Sequence, residues 1–435
     1  MHSFRYRDGD LCCEDIDLAR VAREFATPIY VYSAGTLLDH YARLDAALAP
    51  LDHLICYAVK ANSNRAIVNL LVRAGAGFDI VSGGELFRVL SAGGDPARCT
   101  FAGVGKSRDE IEYALEQGVC SFNVESEAEL EAIERIARAK SMRVPIALRV
   151  NPDVDPHTHQ YISTGSHQNK FGIPIDQAMG VYERASRLSN IAIVGVQMHI
   201  GSQITDAKPF ARAIDKVLPL VRDLKSKYNI QFFSIGGGMG IIYRRALESG
   251  SGKWWHDHRP SSAGSAFSVR DYADAIVPPL RDVRLRILVE PGRFLVGNAG
   301  VLLTRVRYIK QTGAKKFAIV DGGMNDLIRP ALYQSYHEIL PVEEMKSETK
   351  IGNIDVVGPV CESGDFFALD REMPELQEGD LLAIMSAGAY GFTMASNYNS
   401  RPLPAEALIQ GDKFALIRRR QTPEDLTRGE MDVDW

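Results

Sequence analysis

At 435 residues the chain exceeds what one ordinary core organises, so two domains are expected, and 46% hydrophobic with 24% charged residues excludes an extensively disordered polymer. A net charge of −5, with no basic stripe interleaved with aromatics, removes the electrostatic case for nucleic acid, and no apolar run approaches the ~20 residues of a membrane-spanning helix. The first residues, Met1-His2-Ser3-Phe4-Arg5-Tyr6-Arg7-Asp8, lack the apolar core of a signal peptide; six cysteines (12, 13, 56, 99, 120, 361) without CxxC spacing suit the reduced thiols of cytoplasm.

Pro28-Ile29-Tyr30-Val31-Tyr32-Ser33 is the first strand-like run. From residue 54 to 292, short β-branched runs alternate with longer helix-period stretches. The expected strands are 54–60, 77–82, 99–104, 121–126, 144–150, 191–200, 231–237 and 285–291. Between them, 107–117 opens with Ser107 as N-cap ahead of Arg108-Asp109-Glu110, and 126–141 opens with the capping-box pattern Ser126-Glu127-Ala128-Glu129. Eight βα units argue for a closed (β/α)8 barrel over 36–295. An open doubly wound sheet is the rival, because periodicity does not see closure; eight is the closing number. Residues 244–268 break the rhythm, rich in Gly, Ser, Arg and His around Trp254-Trp255. They follow strand seven, hence stand on the barrel's C-terminal face, as a surface insertion or a lid. After about 296 the segments 301–311, 315–321, 350–358, 380–387 and 413–420 read as strands without comparable helices. They make a β-sandwich or β-barrel domain from 296–435, and the opening segment 1–35 is expected to join its sheet.

In such a barrel the strands' C-terminal ends build the active site. In order they carry Lys60; Asp79 and Ser82; Arg149-Val150-Asn151-Pro152; His199-Ile200-Gly201-Ser202-Gln203; Gly236-Gly237-Gly238-Met239-Gly240; and Glu290-Pro291-Gly292-Arg293. Lys60 ends the apolar run Leu54-Ile55-Cys56-Tyr57-Ala58-Val59, giving an amine with a buried stem and an exposed tip, which suits Schiff-base chemistry. The glycine run has no acidic residue ending a strand ~20 residues on, so it reads as a phosphate nest rather than a dinucleotide loop. His199 lacks flanking acidic ligands, and His157, His159 and His167 fit no metal template, so no metal is expected. Glu290 would be a costly lone carboxylate unless a cation or donor paired with it. A protonated pyridine nitrogen is such a donor. Pyridoxal 5'-phosphate needs an amine for its aldehyde, donors for its phosphate, a flat partner for its ring and a carboxylate for its ring nitrogen; Lys60, Gly236 to Gly238, His199 and Glu290 supply them.

These residues sit in longer segments: Tyr57-Ala58-Val59-Lys60-Ala61-Asn62, Phe78-Asp79-Ile80-Val81-Ser82-Gly83-Gly84-Glu85, Lys170-Phe171-Gly172, and the histidine, glycine and Glu290 runs above. Further on come Asp321-Gly322-Gly323-Met324-Asn325-Asp326, continuing through Arg329 to Tyr333, then Cys361-Glu362-Ser363-Gly364-Asp365 and Gly388-Ala389-Tyr390-Gly391. Across nearly the whole chain this order resembles the barrel-type (fold type III) pyridoxal-phosphate-dependent decarboxylases, and closely the diaminopimelate decarboxylases; the 244–268 insertion departs from the pattern. The resemblance implies decarboxylation of meso-2,6-diaminopimelate to L-lysine and CO2, the last step of lysine biosynthesis. It makes Lys60 the Schiff-base lysine and Cys361 the acid, delivered from the second subunit of a cytoplasmic homodimer with shared active sites. Cofactor contacts fall on Lys60, Asp79, His199, Ser202, Gly237, Gly238, Glu290, Pro291, Gly292, Arg293 and Tyr390. Substrate contacts fall on Arg293, Arg329, Tyr333, Glu362 and Tyr390, the arginines and Tyr333 taking the distal carboxylate and Glu362 the distal ammonium. A decarboxylase of the same fold acting on ornithine, arginine or carboxynorspermidine is the second reading, and a non-catalytic pyridoxal-phosphate-binding relative the third.

Overall fold

The computed structural model describes residues 2–155, 170–257, 268–313, 315–344 and 349–435, so His157, His159 and His167 lie outside the described residues. The chain divides into two compact units. One holds Leu38–Ile241 and the described residues of 258–295; the other holds the N-terminal segment to Leu37, Ile242–Asp257 and Val296–Trp435.

The first unit is built on eight parallel strands: β1 (His53–Ala58), β2 (Gly77–Ile80), β3 (Cys99–Phe101), β4 (Ser121–Val124), β5 (Val144–Asn151), β6 (Ile191–Met198), β7 (Phe232–Ser234) and β8 (Arg286–Val289). Each pairs with the next, and β8 returns to β1 with Leu288 opposite Leu54, so the ring closes and the open-sheet alternative falls. A two-residue strand, Ile173–Pro174, lies along the end of β5. Leu54, Ala147, Phe232 and Leu288 meet with Cys56 as filling side chains. Gly195 on β6 leaves room for this packing, since a Cβ there would stand 2.6 Å from the Phe232 ring.

The helix Arg108–Gln117 starts as expected: Ser107 Oγ accepts from the Glu110 amide, Glu110 accepts from the Ser107 amide, and Gly118 ends it in the left-handed conformation. The helix Glu127–Ala139 makes only half of its expected box. Ser126 Oγ accepts from the Glu129 amide, but the Glu129 carboxylate turns to the Glu125 amide (2.8 Å) and to Lys106 Nζ (2.5 Å). Charge outcompetes the neutral partner. The Lys106 side chain is wholly buried and spends its three donors on Glu129 and the carbonyls of Gly103 and Asn123.

In the second unit the long strand Gly300–Thr312 pairs antiparallel with Ile29–Ser33 and Leu381–Ile384 along its first half, and with Lys315–Val320 along its second. Ile29–Ser33 also pairs parallel with Ala405–Gln410, which turns back into Lys413–Arg418. The opening segment thus enters the sheet, as the sequence suggested. Ile29 and Val31 face a core with Val301, Leu303, Ala383 and Ala407. On the alternate positions, Tyr30 donates to the Asp326 carbonyl (2.7 Å) and Tyr32 to Glu406 (2.7 Å). Ile351–Val357 runs beside Lys315–Val320 and pairs with Phe366–Pro374. Phe4–Arg7, Asp10–Cys13 and Ile16–Asp17 form a small separate sheet.

The stretch expected to be a barrel insertion is divided differently. Ile242–Asp257 groups with the β-rich unit, because Ala246 is buried in that core, the Leu247 amide donates to Glu338 (2.8 Å), and His2 Nε2 meets the Ala246 carbonyl (2.7 Å). Residues 258–267 lie outside the described residues. Among the described residues no helix is long and apolar enough to cross a membrane.

Replacing Lys106 by Met would leave the Glu129 carboxylate buried beside backbone carbonyls. A loss of about 3–5 kcal/mol is expected in urea unfolding at pH 7, with Glu129→Gln in the same chain recovering most of it. An unchanged unfolding midpoint for Lys106→Met would contradict this account of the Lys106 cluster.

Candidate active site

Lys60 does not end β1. The strand stops at Ala58, and Lys60 sits in the single 3-10 turn Val59–Ala61 that follows. There its Nζ reaches Asp79 Oδ2 at 2.5 Å; the lysine side chain is 38% exposed and the aspartate 2%. Asp79 is the third residue of β2, and its Oδ1 is buried without a hydrogen-bond partner. Ser82, two residues past β2, caps the helix Gly83–Ser91 through the Glu85 amide. Glu85 places Oε2 on the Val81 amide (2.8 Å), and burial raises its carboxyl to about 7 although Lys60 pulls the other way. Glu85 was not foreseen as part of the mouth; its signal was an acidic residue in the helix's first turn directly after β2.

Strands β6, β7 and β8 follow round the ring, with β8 beside β1. Glu290, one residue past β8, is buried; Oε1 accepts from Ser234 (2.6 Å) and Oε2 from Gln197 (3.0 Å). Burial raises its pKa, Asp79 adds to the shift, and Lys60 opposes it. Ser234 and Gln197, also unforeseen, were legible as polar residues within apolar strands. The Glu290 amide donates to the Gly236 carbonyl (2.8 Å), and the Ala58 amide to the Pro291 carbonyl (3.1 Å), tying Pro291-Gly292 to the end of β1. Gly237 allows this closeness, since a Cβ there would lie 2.1 Å from the Glu290 carbonyl oxygen. Gly238 takes φ +115°, open only to glycine at low cost.

His199 accepts the Gly237 amide on Nδ1 (3.2 Å), which leaves the proton of a neutral ring on Nε2. Burial, then the charges of Arg149 and Lys60, hold its pKa well below the usual value. Arg149 pairs with Glu125 (2.9 Å), and its guanidinium lies 4.7 Å from the Phe171 ring centre. Arg293 is buried and donates to Ser202 Oγ (3.0 Å). The barrel unit therefore gathers Lys60, Asp79, His199, Ser202, Gly237, Gly238, Glu290, Pro291, Gly292 and Arg293 at its strand ends.

The remaining candidates belong to the β-rich unit. Arg329 opens the helix Arg329–Tyr333, so Arg329 and Tyr333 stand one turn apart on one face. Arg329 is 5% exposed, and its guanidinium reaches Tyr243 Oη (2.8 Å), His337 Nε2 (3.1 Å) and Ser335 Oγ (3.3 Å). Cys361 is a free, exposed cysteine whose amide donates to Asn399 Oδ1 (2.9 Å). Glu362, also exposed, accepts from the Tyr398 hydroxyl (2.9 Å). Asp365 is buried and accepts the amides of Met324 and Val360, each at 2.6 Å, fastening the Cys361 loop. Tyr390 takes φ +56°.

A barrel with this mouth defines a class of protein that works through an imine-forming cofactor. A family model for the pyridoxal-dependent decarboxylase pyridoxal binding domain matches residues 34–297. The diaminopimelate decarboxylase of Pseudomonas aeruginosa is 50% identical over 431 residues, covering 99% of each chain. The solved diaminopimelate decarboxylase of Helicobacter pylori, complexed with L-lysine, is 40% identical with a TM-score of 0.87, over 95% of this chain and 98% of that one. That of M. jannaschii, also with L-lysine, is 35% identical with a TM-score of 0.89, over 99% and 98%. The chain belongs to the pyridoxal-dependent decarboxylases and, within them, to the diaminopimelate decarboxylase family. It is thus a lyase whose cofactor is pyridoxal 5'-phosphate.

The donor set suits that group. Lys60 offers an amine at the mouth. Each Glu290 oxygen accepts one hydrogen bond and keeps a further lone pair for a ring N–H. Asp79 Oδ1 is a buried acceptor still calling for a donor.

The raised Glu85 pKa carries a pH dependence. Between its ordinary 4.5 and about 7 the folded state binds more protons than the unfolded state, so stability falls as pH rises through that window. Glu85→Gln removes the titration. In cofactor-free protein, the variant's melting temperature relative to the parent should climb from pH 5 to pH 8; a constant or falling difference would refute the assignment.

Proposed function

We propose that the chain decarboxylates meso-2,6-diaminopimelate to L-lysine and CO2, the last step of lysine biosynthesis, as a cytoplasmic homodimer with shared active sites. The observation that carries this reading is the barrel mouth that sets an amine, Lys60, and a buried carboxylate, Glu290, within mutual electrostatic reach, in a chain colinear with diaminopimelate decarboxylases. Six free cysteines, five of them buried or partly buried, support a reducing compartment.

When bound, the cofactor supplies an aldehyde that condenses with amines and a ring that takes up the electron pair left as CO2 departs. Lys60 would hold the cofactor through its aldehyde, and Asp79, 2.5 Å from Nζ, would keep the free ammonium in place. Glu290, oriented by Ser234 and Gln197, keeps a proton on the ring nitrogen. His199, a neutral imidazole, would offer the ring its flat face. Gly237, Gly238, Ser202 and the Gly292-Arg293 amides would offer donors to the phosphate, with Pro291 shaping that turn, and Tyr390 is the further cofactor contact that the family likeness assigns.

Substrate recognition falls to charge. Diaminopimelate carries a second amino-acid centre remote from the reacting one, and its carboxylate calls for arginine, whose planar fork pairs with both oxygens. Arg293, Arg329 and Tyr333 take that carboxylate, and Glu362 takes the distal ammonium. Cys361 Sγ delivers the proton that replaces CO2 at the substrate α-carbon. Its exposure in the single chain supports delivery to the partner's site.

Purified protein with pyridoxal phosphate should release CO2 and L-lysine from meso-diaminopimelate and act far more slowly on ornithine; a preference for ornithine would favour the second reading. Inactive Lys60→Ala and Cys361→Ala chains, mixed under conditions of proven subunit exchange, should regain activity. No recovery would place each site within one chain.

A further inference from the structure

Arg329 is held by a network of side chains within the β-rich unit. Its guanidinium donates from Nη1 to the Tyr243 hydroxyl at 2.8 Å and lies 5.0 Å from the centre of the same ring. The same Nη1 faces His337 Nε2 at 3.1 Å, and Nη2 faces Ser335 Oγ at 3.3 Å. His337 is fully buried, and its Nδ1 stands 2.8 Å from the Met385 carbonyl oxygen.

These contacts determine the state of the imidazole. A carbonyl oxygen only accepts, so Nδ1 carries a proton; a guanidinium N–H only donates, so Nε2 presents its lone pair. His337 is therefore the neutral Nδ1–H tautomer. The ring is fixed further by edge-to-face packing on Tyr243 (5.1 Å between centres), and the His337 carbonyl accepts from Arg371 at 2.8 Å. An arginine fork left to rotate loses more freedom on pairing than one already oriented.

We propose that His337 is a positioning residue for substrate recognition: its Nε2 lone pair, together with the Tyr243 hydroxyl, orients the Arg329 fork toward the distal carboxylate. This rests on the reading of Arg329 given under Proposed function. Decarboxylation at one amino-acid centre leaves the other intact, so L-lysine retains the carboxylate that Arg329 would hold, and product binding reads the fork apart from turnover.

The experiment measures L-lysine affinity of the holoenzyme by calorimetry, with KM and kcat for diaminopimelate, in Arg329→Ala, His337→Leu, His337→Gln and Tyr243→Phe. Glutamine can place an amide oxygen where Nε2 stood; leucine cannot. His337→Leu should weaken L-lysine binding and raise KM about tenfold or more, the cost of a lost hydrogen bond to a charged group. Its kcat should change little, because the contact is remote from the breaking bond. His337→Gln should stay within about threefold of the parent in both, since its oxygen keeps the acceptor. Normal lysine affinity and KM in His337→Leu, with both impaired in Arg329→Ala, would overturn the positioning role and leave the Arg329 reading standing. Normal values in Arg329→Ala would overturn that reading and the positioning role with it. Should His337→Leu not fold, Tyr243→Phe decides: weaker lysine binding with an unchanged kcat supports the network, and unchanged affinity rejects it.

Discussion

No side chain fits at residue 237. A Cβ there would stand 2.1 Å from the Glu290 carbonyl oxygen, closer than any non-bonded carbon and oxygen approach. This crowding is the price of bringing the ends of β6, β7 and β8 into one patch of backbone. The Gly237 amide then reaches His199, the Glu290 amide reaches Gly236, and the Pro291 carbonyl reaches back to β1. Ring closure makes such a meeting possible; the missing side chain makes it close enough to fix a histidine and a carboxylate against each other.

Electrostatics follows from that geometry. Asp79 and Glu290, both buried, and the half-buried Glu85 bring three carboxyl groups into the field of one ammonium, Lys60. Burial opposes the ionisation of Glu85 and Glu290, Asp79 opposes it further, and Lys60 favours it, so both carboxyls are raised above the usual carboxylate range. His199 is pushed the other way and stays neutral. Such a mouth can hold a ring nitrogen protonated without placing a competing cation against the ring face. Lys106 shows what Lys60 is not: its ammonium is walled in by two carbonyls and a carboxylate, with no donor left for chemistry.

Much of this was legible from residue order. The alternation of β-branched runs with helix-period segments revealed all eight barrel strands, and their count favoured closure. Lys60, His199 and Glu290 stood out because each puts a reactive side chain where an apolar run ends. Readings failed where a distant partner decides. Glu129 left its capping box for Lys106, 23 residues away along the chain. Ala246 and Leu247 joined the β-rich core through Glu338, which local composition does not record. Phe366–Pro374 escaped notice because Asp370-Arg371-Glu372 interrupts its apolar pattern, and its membership rests on pairing with Ile351–Val357. The Tyr243 and His337 contacts to Arg329 likewise exist only in the folded chain.

The account turns on Lys60 being the amine that carries the cofactor. Borohydride reduction of the holoenzyme, followed by proteolysis and peptide mapping, tests this directly, because it fixes the cofactor to whichever lysine holds it. The pyridoxyl group is predicted on the peptide containing Tyr57-Ala58-Val59-Lys60-Ala61-Asn62. Label on Lys106, or on any other lysine, would contradict the assignment of the barrel mouth.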